Sequence, residues 1–113
     1  MALTPPGDGP ITLINVFDVP VETVDEFIER WRVRAQLMTA APGFRDARLH
    51  RAVTPDARFP LVNVAHWDSQ ADLEAAHAAD AFQEQIRALR DDARMAFSAY
   101  AASYELAVVL NRA

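Results

Sequence analysis

The chain has 113 residues, a net charge of −5 and no cysteine. That length allows one hydrophobic core but not two, and the acidic balance gives no electrostatic case for nucleic-acid binding. Without cysteine, disulfides, thiolate chemistry, iron–sulfur clusters and zinc–thiolate sites are excluded. All eleven cations are arginine, so no lysine can form a Schiff base or serve a P-loop. The glycines, Gly7, Gly9 and Gly43, are too scattered to form a phosphate loop. No apolar run reaches the length of a membrane helix, and the N-terminus lacks the basic-then-apolar pattern of a signal peptide. The expectation is a cytoplasmic protein that does not associate with membranes.

Residues 1–10, rich in proline and glycine, read as a flexible arm preceding one domain over 11–113. Ile11 to Val19 reads as a first strand, with Leu13, Asn15 and Phe17 on one face and Thr12, Ile14 and Val16 on the other. Pro20 predicts a helix start, with the apolar stripe Val24, Phe27, Ile28, Trp31, Ala35 and Met38, ended by Pro42-Gly43. Phe44–Val53 and Phe59–Trp67 read as a hairpin around the turn Thr54–Arg58. Asp68-Ser69 caps a short helix near 70–78, and Asp80 a second over 81–97 with the stripe Phe82, Ile86, Leu89, Ala93 and Phe97. A last strand is predicted at Ala102–Leu110. The order β-α-β-β-α-β is the ferredoxin-like split βαβ of the α+β class, an antiparallel sheet with helices over one face. Val62 and Val64 face away from Leu61 and Ala65, so the other face is apolar too. An uncovered apolar sheet implies a partner, most simply a second copy of the chain closing a dimeric α+β barrel.

The third strand carries the sharpest question. Leu61, Asn63, Ala65 and Trp67 share its core-facing side, and Asn15 sits in a matching apolar setting on the first strand. A buried primary amide without partners costs about 1–3 kcal/mol. Asn63 therefore either bonds a backbone group or lines a cavity and meets a ligand, and a second amide on the same side favours the cavity. Trp67, roughly 13 Å further along the strand, either is a core or rim residue or would bracket a flat, elongated, mostly apolar ligand with the amides. The hairpin register puts His50 and His66 on the opposite face, where structural roles fit them. His77 either faces the cavity or caps a helix end. The histidine spacing fits no metal site and no carboxylate completes one, so no metal is expected. Arg87 either reaches toward the ligand from the long helix or is solvated. Tyr100 and Tyr104 are possible proton donors that also fit core and rim positions.

These residues resemble the antibiotic biosynthesis monooxygenase domains over about residues 11–110, through Leu13-Ile-Asn-Val-Phe17, Pro42-Gly-Phe44, Leu49-His-Arg51 and above all Asn63-Val-Ala-His-Trp67-Asp-Ser69. In particular they resemble the anthrone oxygenases of aromatic polyketide pathways, such as those of nogalamycin-type anthracyclines. The resemblance implies a homodimer with one cavity per subunit between sheet and helices. It also implies oxidation of an aromatic polyketide by O2 with no cofactor: no flavin, metal or haem. Asn63, Trp67 and Asn15 would be the catalytic residues. Phe17, Leu61, Ala65, Leu73, His77 and Arg87 would contact the substrate. Leu73 stands where one relative has a cavity tyrosine. Haem-degrading relatives place an iron-binding histidine four residues after a helix phenylalanine; aligned on Phe82, that position is Ile86. Alternatives are a non-catalytic or cyclase-like polyketide-binding dimer, or a quinol oxygenase outside antibiotic pathways.

Overall fold

The computed structural model describes residues 9–113. Most of the proline-rich N-terminal arm lies outside the described residues. Eight elements follow one another: strand β1 (Ile11–Asp18), one 3-10 turn (Val21–Thr23), helix α1 (Val24–Gln36), strands β2 (Phe44–Arg51) and β3 (Leu61–Trp67), helices α2 (Gln70–His77) and α3 (Asp80–Asp91), and strand β4 (Ser98–Tyr104). The strands form one sheet in the order β2-β3-β1-β4, with every neighbouring pair antiparallel. β3 thus lies between β1 and β2, and β1 between β3 and β4, as the split βαβ pattern requires. Among the described residues, no helix is long and apolar enough to cross a membrane.

The register fixes the two faces. β1 and β3 pair Leu13 with Ala65, Asn15 with Asn63 and Phe17 with Leu61, so odd positions on both strands share the helix-covered side. Two apolar clusters fill that side. One joins Ile11, Leu13, Trp67 and Met38 to Leu73 and Ala76 of α2. The other joins Phe17, Leu61 and Phe27 to Leu89 and Met95. Burying such side chains contributes about 1.5–3 kcal/mol each, which holds the helices on this face.

Local chemistry sets the ends of the elements. Ser69 caps α2 as expected, its Oγ accepting from the Asp72 N–H at 3.1 Å. Gly43 turns the chain into β2 at φ +83°, and its carbonyl accepts from the Asp68 N–H at 2.8 Å. The bulge between Phe44 and Asp46 lets Phe44 pair with Trp67 while Asp46 pairs with His66.

Besides shifts of one or two residues at the ends of β1, β2, β3 and α2, four boundaries differ from the sequence reading. Pro20 leads into a 3-10 turn, so α1 begins at Val24. Asp80 is the first residue of α3 rather than its cap, and Ala79 holds the cap position. α3 stops at Asp91 instead of near residue 97. There the Asp92 carboxylate accepts from the Arg94 N–H two residues on, at 3.1 Å, and from Arg30 Nη1 at 2.9 Å. This local aspartate turn competes with the next helical hydrogen bond. Ala96 then takes a left-handed φ of 40° and drops Met95 and Phe97 into the core. The last strand consequently begins at Ser98 and ends at Tyr104, four residues ahead of the predicted start. Leu106, Val108, Val109 and Leu110 follow it as exposed chain outside the sheet.

Candidate active site

A cavity of about 140 Å³ lies between the sheet and the helices. Its floor is the odd-numbered face of the sheet: Leu13, Asn15 and Phe17 from β1, Asn63, Ala65 and Trp67 from β3 and Ala47 from β2. α1 supplies Trp31, Arg34 and Met38, while His77 at the end of α2 and Phe82, Ile86 and Arg90 of α3 close the roof. A wider and more open compartment of about 630 Å³ adjoins it and shares Leu13, Asn15, His77, Phe82, Ile86 and Arg90 with it. Ligand pockets typically enclose about 300–1,000 Å³, so the inner cavity alone suits part of a ring system and the two together suit a whole one.

Asn15 and Asn63 stand directly opposite each other in the β1–β3 register. Directly opposed side chains in an antiparallel pair have Cβ atoms about 4.5–5.5 Å apart, so the amides form one polar spot on an apolar floor. Asn63 is only 8% exposed. The Oδ1 of each amide is buried and has no hydrogen-bond partner among the described residues. Bonding to a backbone group is therefore not what places these oxygens there, and each is left to be satisfied by something that enters the cavity.

Trp67 is 1% exposed and meets Phe44 edge-on at 5.2 Å between ring centroids. Its other neighbour is His77, edge-on at 6.3 Å, and His77 stacks flat on Phe82 at 4.6 Å. The imidazole is thus wedged between two aromatic rings on the cavity wall. Burial, and then the Arg34 charge, pull its pKa below the ordinary 6.5. His77 is therefore a neutral imidazole at neutral pH, able to accept a proton.

The remaining expected residues divide between the cavity, the core and the surface. Phe17 and Ala65 line the inner cavity, and Leu73 lines only the wider compartment. Leu61 is fully buried among Phe17, Phe27 and Leu89 and supports the floor from within the core without lining it. Arg87 is solvent-exposed and does not line either compartment. The α3 positions spaced by four, Phe82, Ile86 and Arg90, make one ridge facing the cavity, so the arginine presented there is Arg90. Tyr100 and Tyr104 are over half exposed and pair with Val16 and Thr12 on the opposite face, away from the cavity. His50 and His66 occupy that same outer face, where His66 Nδ1 lies 2.7 Å from Asp46 Oδ1. Among the described residues no three His, Asp or Glu side chains gather in a group that could hold a metal ion.

Arg34 escaped the sequence reading although its spacing announced it. It lies seven residues after Phe27, three after Trp31 and four before Met38, on the inward stripe of α1. It is 6% exposed and lines the inner cavity. Burial, and then the nearby Arg30 charge, lower its pKa to about 10, leaving it charged at neutral pH.

The fold and the site define a small α+β domain whose apolar cavity carries two unsatisfied amides, a buried tryptophan and a neutral histidine. The chain belongs to the antibiotic biosynthesis monooxygenase family, whose sequence profile matches residues 10–88. It is similar to the tetracenomycin-F1 monooxygenase of Streptomyces glaucescens, with 35% identity over 79 residues, 69% of this chain and 68% of that protein. Among solved structures, a Shewanella loihica protein superposes with a TM-score of 0.71 at 31% identity, over 89% of this chain and 97% of that one. SnoaB, a cofactor-independent oxygenase of Streptomyces nogalater, superposes with a TM-score of 0.76 at 23% identity, over 92% of this chain and 99% of that one. At that identity the second likeness establishes the shared ferredoxin-like fold. Family membership makes the chain a monooxygenase.

Proposed function

We propose that this monooxygenase oxidises an anthrone-type aromatic polyketide to the corresponding quinone with O2, using neither metal nor organic cofactor. The observation that carries the reading is the opposed Asn15–Asn63 pair, its carbonyl oxygens unsatisfied, beside Trp67 in an apolar cavity. An anthrone has an acidic ring CH2 conjugated to a carbonyl and flanked by phenols. Its phenolic O–H groups are the donors that orphaned Oδ1 atoms lack. The amide N–H groups of the same side chains are donors for the carbonyl oxygen, where negative charge gathers once the ring carbon loses a proton. Fixed donors at that oxygen act as an oxyanion hole does.

The chemistry balances without a cofactor. Proton loss gives an electron-rich anion, which passes one electron to O2. The resulting radical and superoxide combine at the ring carbon, and a proton completes a hydroperoxide. Loss of water then leaves the ketone, so one CH2 and one O2 become one C=O and one H2O. Trp67 would hold the ring plane and help exclude water. The proton goes to a substrate phenolate, to a water held by an asparagine, or to His77. The lowered pKa and cavity position of His77 favour it. We also propose that two copies pack through the outer sheet face. Ile14, Val16, Val62 and Val64 are only half-buried there, and the apolar tail 106–110 is free to cross onto the partner.

The test is oxygen uptake by metal-stripped protein given dithranol or emodin anthrone, with Asn63→Ala alongside and the spontaneous rate subtracted. Fast uptake with quinone formation, lost in the variant, is the expected result. Uptake at the background rate, with tight anthrone binding seen by tryptophan fluorescence, would replace this reading with that of a polyketide-binding protein.

A further inference from the structure

The chain is acidic, with 16 carboxylates against 11 arginines, yet the inner cavity has the opposite sign. Its lining includes Arg34 and Arg90 and not one aspartate or glutamate. Six of the other arginines find acids: Arg30 meets Asp92, Arg32 meets Glu29, Arg45 meets Asp68, Arg51 meets Asp25, Arg58 meets Asp18 and Arg94 meets Glu26. Arg34 is far more buried than any of these and makes no ion pair among the described residues. Its guanidinium carbon lies 6.0 Å from the centroid of the Phe27 ring. The nearby charge acting on it is Arg30, which repels it. A buried cation without a counter-ion is costly, and a purely structural position on the α1 stripe would be better filled by leucine or methionine.

We infer that Arg34 is a specificity-determining residue, the anchor for a carboxylate carried by the substrate. The inference rests on the aromatic-polyketide reading above and narrows it to acidic members of that class. A guanidinium is planar and presents its donors as a fork, which matches the two oxygens of a carboxylate and not the single oxygen of a phenolate. Arg90, lining the same cavity and the wider compartment, adds a second positive charge near the bound anion. The one acid on the wider compartment, Glu74, is held by Gln70 Nε2 at 3.1 Å. With a neutral substrate the Arg34 charge stays unpaired; a carboxylate gives it a counter-ion.

The experiment compares two inert ligands, danthron and rhein, which differ only in that rhein carries a carboxylate. Their affinities are measured by tryptophan fluorescence for the full chain, Arg34→Met and Arg34→Lys. Kinetics on the corresponding anthrones run in parallel. The unmodified chain should bind rhein at least about tenfold tighter than danthron, as a charge-assisted hydrogen bond to a buried group implies. Arg34→Met should bring the two affinities together by weakening rhein far more than danthron, and Arg34→Lys should restore part of the difference. Equal binding of the two ligands by the unmodified chain would overturn the inference whatever the variants do. So would an equal loss for both ligands in Arg34→Met. A tenfold preference for rhein without oxidation of either anthrone would uphold the anchor and remove the oxygenase reading. Oxidation of both anthrones at the same kcat/KM, with no affinity difference, would do the reverse.

Discussion

Two buried amides, Asn15 and Asn63, gain the fold nothing by their position. Each buried, unpaired amide oxygen costs the folded protein about 1–3 kcal/mol, and the β1–β3 pairing puts two of them face to face. Asn63→Ala should therefore leave the melting temperature unchanged or raise it, while reducing turnover of an anthrone about a hundredfold, the usual scale for removing an oxyanion donor. Thermal unfolding and oxygen uptake on the same preparation check this. A large fall in stability with full activity would make the residue structural. Trp67→Phe keeps an aromatic ring against Phe44 but shortens the platform, so KM for a wide substrate should rise more than kcat falls. Identical constants would take Trp67 out of binding. His77 sets a pH signature. If it accepts the proton, the acid limb of kcat/KM falls below pH 6.5, its ordinary pKa, because burial and the Arg34 charge depress the folded value. His77→Phe should erase that limb, whereas a limb that survives assigns the proton to the substrate or a water. The sign for stability is the same. Between pH 6.5 and the lower folded pKa the unfolded chain binds the proton and the folded one does not, so stability falls as pH drops through that window.

At the scale of elements, short polar devices decide where the cavity walls stand. The Asp92 turn ends α3 early enough for Met95 to reach the core, where it is fully buried. Gly43 does the equivalent work at the start of β2. Its φ of +83° is a left-handed conformation, and a β-carbon built there would collide with the Asp72 side chain at the start of α2. Gly43→Ala should cost about 1–3 kcal/mol, from backbone strain and overpacking together. Urea denaturation measures it, and adding Asp72→Ala should recover only the share due to the carboxylate, because the Asp72 β-carbon that alanine keeps also lies within 2.6 Å of the new methyl. Full recovery would show that neither the left-handed turn nor that remaining contact costs anything.

For the whole molecule, one sheet has two faces and the described chain covers one. Ile14 and Val64 are register partners on the uncovered face, with Val16 and Val62 beside them. If a second copy packs there, Val64→Glu should give monomers by light scattering at concentrations where the unmodified protein is a dimer. A monomeric parent would instead leave this face to another partner or to water. The exposed Leu106, Val108 and Leu110 belong to the same question, since they extend beyond β4 and pair with no strand among the described residues.

Much of this was legible in the residues because it depends on period alone. Alternation placed Asn15, Asn63 and Trp67 on one face, and a shift of a single residue would have turned all of them outward. The order of elements and the antiparallel pairing follow from the same patterns and from the turns at Pro42-Gly43 and Thr54–Arg58. Arg34 was equally legible from its spacing, and only its charge concealed it, since arginine on an apolar stripe reads first as solvated. Other features had no local signal. Nothing in Asp91-Asp92-Ala93-Arg94 is a glycine or proline, and that stop depends on Arg30, some 62 residues away, reaching Asp92. Arg90 replaces Arg87 because the rotation of α3 is set by which side chains it buries, Leu89 above all. Which residues lie inside follows from the periodicity of the apolar positions along the chain. Which of those inner residues go unsatisfied emerges only from the packed fold, because a missing partner is a property of everything around a group and not of its neighbours in the chain.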